Sequence, residues 1–145
     1  MSTQGEYAPS PSPFVSDMVA TIEQAGTTSV IEHGNGVVLL TMRGAKSGKI
    51  RKVPLMRVEH DGRYAAVASL GGAPKHPVWY YNLKADPKLQ LQDGATTSEF
   101  IARELEGEER EVWWTRAVAE WPDYAEYQTK TDRLIPVFLL EPAGN

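Results

Sequence analysis

Cysteine is absent from all 145 residues. Disulfides, thiolate nucleophiles, Cys-ligated zinc and iron–sulfur clusters are thereby excluded, and the composition suits a cytoplasmic protein. Long apolar runs are missing too: none approaches the roughly 18 residues of a spanning helix, so no stable membrane insertion is expected. No Lys or Arg precedes Arg43 and the start has no apolar h-region, so a secretory leader is not expected. Histidine is scarce. His33, His60 and His76 lie far apart without HxxxH or HExxH spacing, and no metal site is expected.

What is present is an ordinary globular balance, 41% hydrophobic and 23% charged, in a length that suits one domain. Three prolines alternate with small polar residues over 1–13, which predicts an extended or disordered tail. Residues 14–145 are expected to form a single domain that includes an N-terminal helix. The net charge of -4 is unevenly spread. Residues 1–42 carry four acids and no base, 43–88 carry ten bases against three acids, and 89–145 carry twelve acids against five bases. A cationic middle third on an acidic chain suits one small anion better than nucleic acid. A solvated basic strand is the plainer alternative.

Periodicity predicts helices over 14–25, 78–85, 108–120 and 123–131. In the first, Phe14, Met18 and Ile22 stand four apart, and Gly26 is a stop. No basic face accompanies it, so it reads as a docking helix. Strands are predicted over 37–42, 53–59, 63–69, 88–92, 95–103 and 135–140. Asp61-Gly62 and Asp93-Gly94 mark hairpins. Six strands joined mostly by hairpins predict a mainly antiparallel barrel, α+β rather than βαβ.

Two familiar sites fail. The stretch Gly44-Ala45-Lys46-Ser47-Gly48-Lys49-Ile50 has Arg43 where a phosphate loop needs its first glycine and Ile50 where it needs Ser or Thr. Ser69, in Ala68-Ser69-Leu70-Gly71-Gly72, lacks the glycine two residues earlier that a nucleophile elbow requires. What remains is Arg43, Lys46, Lys49, Arg51 and Lys52 around two glycines: an anion cradle or a solvated hairpin. Trp113 and Trp114 read as core. Tyr124 and Tyr127 sit three apart, as core or as phenols at the rim of an aromatic pocket. This inventory suits a planar ligand with an anionic tail, and it contains no residue able to do hard chemistry unaided, which points to a cofactor.

Lys46-Ser47-Gly48, Arg51-Lys52-Val53-Pro54-Leu55, Ala68 to Gly72, Pro77-Val78-Trp79-Tyr80-Tyr81-Asn82-Leu83, Tyr124-Ala125-Glu126-Tyr127 and Thr131-Asp132-Arg133-Leu134-Ile135-Pro136 follow one another in a recognisable order. Over about residues 30–142 the chain closely resembles the deazaflavin-dependent nitroreductase family, whose members use coenzyme F-420 on a split β-barrel related to flavin-binding oxidoreductases. The resemblance implies that Lys46, Ser47 and Arg51 hold the anionic tail. It implies that Pro54 and Met56 meet the cofactor along the barrel wall. Ala68, Ser69, Leu70 and Gly71 would form a loop against it, with Trp79 and Asn82 on the helix beside it. Tyr124 and Tyr127 would face the substrate, and they, Ser69 or solvent would supply a proton. The implied reaction is hydride transfer to a small-molecule electron acceptor. Met56, Leu70 and Trp121 stand where nitroimidazole-reducing members can carry tyrosine, lysine and tyrosine. That shift favours quinones or conjugated enones and lactones over nitro compounds. A non-catalytic deazaflavin store and an FMN-binding oxidoreductase are the alternatives, and the oligomeric state is open.

Overall fold

The computed structural model describes residues 5–32 and 36–143, so His33 lies outside the described residues. Its centre is one antiparallel sheet that curls into a half-barrel. In chain order the strands are β1 (Val37–Arg43), β2 (Ile50–Met56), β3 (Glu59–His60), β4 (Arg63–Val67), β5 (Lys88–Asp93), β6 (Thr96–Glu104) and β7 (Val137–Pro142). They lie side by side in the order β2-β1-β5-β6-β7-β4-β3, and β2 and β4 approach each other across the curl. The helices are α1 (Pro13–Ala25), α2 (Val78–Ala85), α3 (Gly107–Glu120) and α4 (Asp123–Thr129). None of them is long and apolar enough to cross a membrane.

Period-two alternation lets each central strand bury both faces. Val38, Leu40 and Met42 point into the barrel with Leu89, Leu91, Phe100, Phe138 and Leu140, and Trp79 and Leu83 of α2 close its end. Val37 and Leu39 point the other way, onto Val19 and Ile22 of α1. Val137 and Leu139 likewise face α3 and α4 through Trp113, Ala117 and Tyr124.

The strand count is seven rather than six, because the stretch expected as one strand over 53–59 is broken. The chain bends at Arg57 and Val58, where the Arg57 N–H donates to the Gly36 carbonyl and the Val58 carbonyl accepts from Ala65. Upstream residues pair with β1 and downstream ones with β4, so the chain crosses between the two edges of the sheet. Pro54 is tolerated in β2 because this is an edge strand. The Asp61-Gly62 turn has positive φ at both residues, 54° and 79°, as a two-residue hairpin requires.

Within the described part of the tail, the segment from Glu6 to Ala8 is docked rather than loose. Ala8 N–H donates to the Ile50 carbonyl at 2.8 Å, and Ile50 N–H donates to the Glu6 carbonyl at 2.7 Å. An unpaired edge offers those backbone groups, which composition does not reveal.

Candidate active site

Lys46 and Lys49 sit on the turn between β1 and β2, which folds on itself, and Arg43, Arg51 and Lys52 sit on the strand ends that flank it. Gly44 and Lys49 bond through the backbone at 2.7 Å, and Ser47 Oγ accepts from Lys49 N–H at 3.1 Å. A Cβ on Gly44 would lie 3.2 Å from that Oγ and 3.3 Å from the Lys49 carbonyl oxygen, a tight fit that a larger residue enters only if these neighbours shift slightly. Asn82 Oδ1 accepts from Ala45 N–H at 2.9 Å, so α2 holds the turn in place. The cations divide. Arg43 donates to the Gly48 carbonyl, Lys49 pairs with Glu6 at 3.3 Å, and Lys52 pairs with Glu23. Lys46 and Arg51 have no ion pair or hydrogen bond with any described residue. They are the cations left to meet an external anion.

A cavity of about 370 Å³ opens beside β2. Phe14, Val15 and Met18 of α1 form one wall, and Pro54 and Met56 of β2 another. Ser69, Leu70 and Gly71 and then Trp121, Tyr124 and Tyr127 complete it, with Trp79 at the base. The lining is mostly apolar. The Ser69 and Tyr124 side chains are 8% and 5% exposed, and neither hydroxyl has a hydrogen-bond partner among the described residues. Burial, with Tyr127 close by, holds the Tyr124 phenol far above its ordinary pKa. It is therefore a neutral donor throughout the physiological range.

The loop carrying Ser69 is strained and clamped. Leu70, Gly71 and Gly72 have φ of 45°, 63° and 86°, a left-handed run that a leucine enters only under constraint. Gly72 touches α4 so closely that a Cβ would stand 2.7 Å from the Tyr127 carbonyl oxygen. From the far side Arg133 donates to the carbonyls of Ala68, Ser69 and Ala73 at 3.1, 2.8 and 2.9 Å. Its Nη1 also lies 3.1 Å from His76 Nδ1. Since guanidinium only donates, that nitrogen accepts and the imidazole proton sits on Nε2. Burial and the Arg133 charge hold His76 below its usual pKa, so it is neutral.

Most expected positions thus come together around one space. Pro54, Met56, Ser69, Leu70, Gly71, Trp79, Tyr124 and Tyr127 all line the cavity. Lys46 and Ser47 lie on the turn, and Arg51 lies on β2 three residues from Pro54, or about 10 Å at strand rise. Two differ. Ala68 is buried behind the lining, and Asn82 spends its side-chain oxygen on the turn. Sequence reasoning missed the cavity wall from α1, though the 14/18/22 spacing carried it, and gave Arg133 no role.

Residues 16–142 match the family described as F420H(2)-dependent quinone reductase. The chain belongs to that family. Membership makes it an oxidoreductase that works with coenzyme F-420. A F420H(2)-dependent quinone reductase of Mycobacterium tuberculosis is 32% identical over 106 residues, 71% of either chain. Among solved structures, an F420-H2 dependent reductase (FDR-A) is 65% identical, with a TM-score of 0.69 over 72% of this chain and 93% of its own. Another, described as a domain-swapped dimer, is 57% identical, with a TM-score of 0.73 over 91% of this chain and 100% of its own.

Proposed function

We propose that this chain reduces quinones, and other flat conjugated acceptors such as enones, with reduced coenzyme F-420. The observation that carries the reading is the cavity: a mostly apolar slot with the Ser69, Tyr124 and Tyr127 hydroxyls in its lining, beside the strand that leads back to Arg51 and to Lys46 on the turn. Its volume and character fit a planar ring system. Lys46 and Arg51 would hold the cofactor's anionic tail, with Ser47 as a further donor. Pro54, Met56, Leu70, Gly71 and Trp79 would hold its ring. When bound, the reduced deazaflavin supplies a hydride equivalent to the acceptor.

The chain's own work is to orient and to exclude water. Phe14, Met18 and Trp121 cover the slot, and Tyr124, held protonated by burial, donates to the acceptor oxygen as negative charge develops there. Ser69 offers a second donor, and Tyr127 stands at the outer edge. Met56, Leu70 and Trp121 leave few polar groups for a nitro function, so nitroaromatics should be the poorer acceptors. The reading keeps the chain in the cytoplasm, on the strength of its cysteine-free composition.

The test is a fluorescence titration with coenzyme F-420 and FMN in parallel, repeated on Lys46→Ala and Arg51→Ala. Turnover is then measured with menadione and with a nitroimidazole. Each substitution should weaken F-420 binding about tenfold, the loss of one charged contact, and flatten its salt dependence. Preference for FMN, indifference to both substitutions, or faster nitroimidazole turnover would overturn the reading.

A further inference from the structure

Arg133 does more than fill space. Its carbonyl accepts from Gln128 Nε2 at 2.8 Å, and the neighbouring Ile135 N–H donates to Gln128 Oε1 at 3.0 Å, so its backbone is tied to α4. Its guanidinium reaches the other way, to three carbonyls of the 68–73 loop and to neutral His76. Between these anchors Gly72 rests directly on the Tyr127 backbone. The same loop holds Leu70 at φ 45° in the cavity wall, without a glycine's freedom to adopt it. A backbone conformation of that kind persists only where its surroundings fix it. Here the turn's own bonds are two, Gly72 N–H to the Ser69 carbonyl and Ala73 N–H to the Leu70 carbonyl. From outside the turn, Gly72 rests on α4, Ala68 N–H donates to the Pro136 carbonyl, and Arg133 alone bonds to three of the loop's carbonyls.

From this arrangement we infer that Arg133 is a positioning residue, which latches the loop bearing Ser69 and Leu70 to the helix bearing Tyr124 and Tyr127. It sets the width of the slot between the two walls. The inference rests on the proposed function for what occupies the slot, and on geometry alone for the latch. Arg suits the task because its planar fork serves several carbonyls at once, which a lysine ammonium on a flexible stem does not.

The experiment compares Arg133→Met and Arg133→Lys with the wild-type full chain. Amide hydrogen exchange is followed without cofactor, then coenzyme F-420 affinity by fluorescence, then menadione kinetics. In Arg133→Met the Gly72 and Ala73 amides should exchange about tenfold faster or more, while the β5–β6 hairpin amides stay within about twofold. The F-420 dissociation constant and the KM for menadione should both rise about tenfold, with kcat falling less. Arg133→Lys should recover part of each change, and it carries the test alone if the methionine variant does not fold. Acceleration shared equally by β5–β6, unchanged exchange at 72 and 73, or unchanged binding and KM would each overturn the latch. If the wild type does not bind F-420, the proposed function fails, while the exchange measurement still decides the latch.

Discussion

A phenol kept protonated by burial is a hydrogen-bond donor of fixed polarity, and Tyr124 and Tyr64 show two uses of it. The Tyr124 hydroxyl has no hydrogen-bond partner among the described residues, and the side chain lines the cavity. Tyr124→Phe should therefore lower kcat/KM for menadione about 10- to 100-fold and leave F-420 affinity nearly unchanged, as steady-state kinetics beside a binding titration would show. Tyr64 instead donates to Asp93 Oδ2 at 2.6 Å, where Arg57 also binds. Burial first, then that bond and the Asp93 charge, push its pKa from 10.0 to about 12. A group whose folded pKa is raised contributes stability that is complete below its unfolded pKa and is lost as pH climbs through the folded one. Stability from Tyr64 should thus decline between pH 10.0 and about 12. Tyr64→Phe should cost about 1.5–3 kcal/mol near neutrality and lack that alkaline decline in denaturant titrations. The substrate-facing place of Tyr124 is among the sequence's expectations, whereas the role of Tyr64 was not legible there. The sequence marks Asp93 only as half of a turn dipeptide, and its partners Arg57 and Tyr64 lie 36 and 29 residues away.

At the scale of elements, local punctuation was a dependable guide. Pro77 ahead of α2 and Asp86-Pro87 behind it bound the helix where expected, and the Asp-Gly pairs stand at their hairpins. Boundaries set by distant partners escaped. Residues 50–56 form one strand because β1 offers a full ladder down to Arg43, and the bend at Val58 exists because β4 lies at the other edge. Arg133 escaped for the same reason, since its acceptors precede it by 57 to 65 residues and three of them are backbone carbonyls, which have no signature in side chains. The junction of loop and helix makes a sharp prediction. Gly72→Ala places a Cβ 2.7 Å from the Tyr127 carbonyl oxygen at φ 86°, so loop and α4 must part. The cost should be about 1–3 kcal/mol in denaturant unfolding, with KM for menadione raised more than the F-420 dissociation constant.

Across the whole molecule, the uneven charge visible in the sequence becomes a contest for one surface. Acids from the N-terminal segment, Glu6 and Glu23, neutralise Lys49 and Lys52 beside the turn where Lys46 and Arg51 stand alone. Both pairs reach solvent, so their loss should shift the thermal midpoint by no more than about 2 °C. Removing the carboxylates raises the local positive potential. The double variant Glu6→Gln and Glu23→Gln should bind F-420 about two- to threefold more tightly in dilute buffer and like wild type near 1 M salt, where screening falls to about 3 Å. Isothermal titration at the two salt concentrations would read the difference.

The docked segment from Glu6 to Ala8 has one more consequence, for colloidal behaviour. It lies along β2, the outermost strand on that side of the sheet, and uses the Ile50 N–H and carbonyl that would otherwise face water. An open strand margin is a template on which another copy can crystallise its own backbone, and Ile50, Val53 and Leu55 would make such a template sticky. The few residues before α1 thus act as a selvedge, the finished border that keeps a woven cloth from fraying. A chain trimmed of residues 1–11 should keep its α1, whose cap is Ser12, yet scatter light at concentrations where the full chain stays clear.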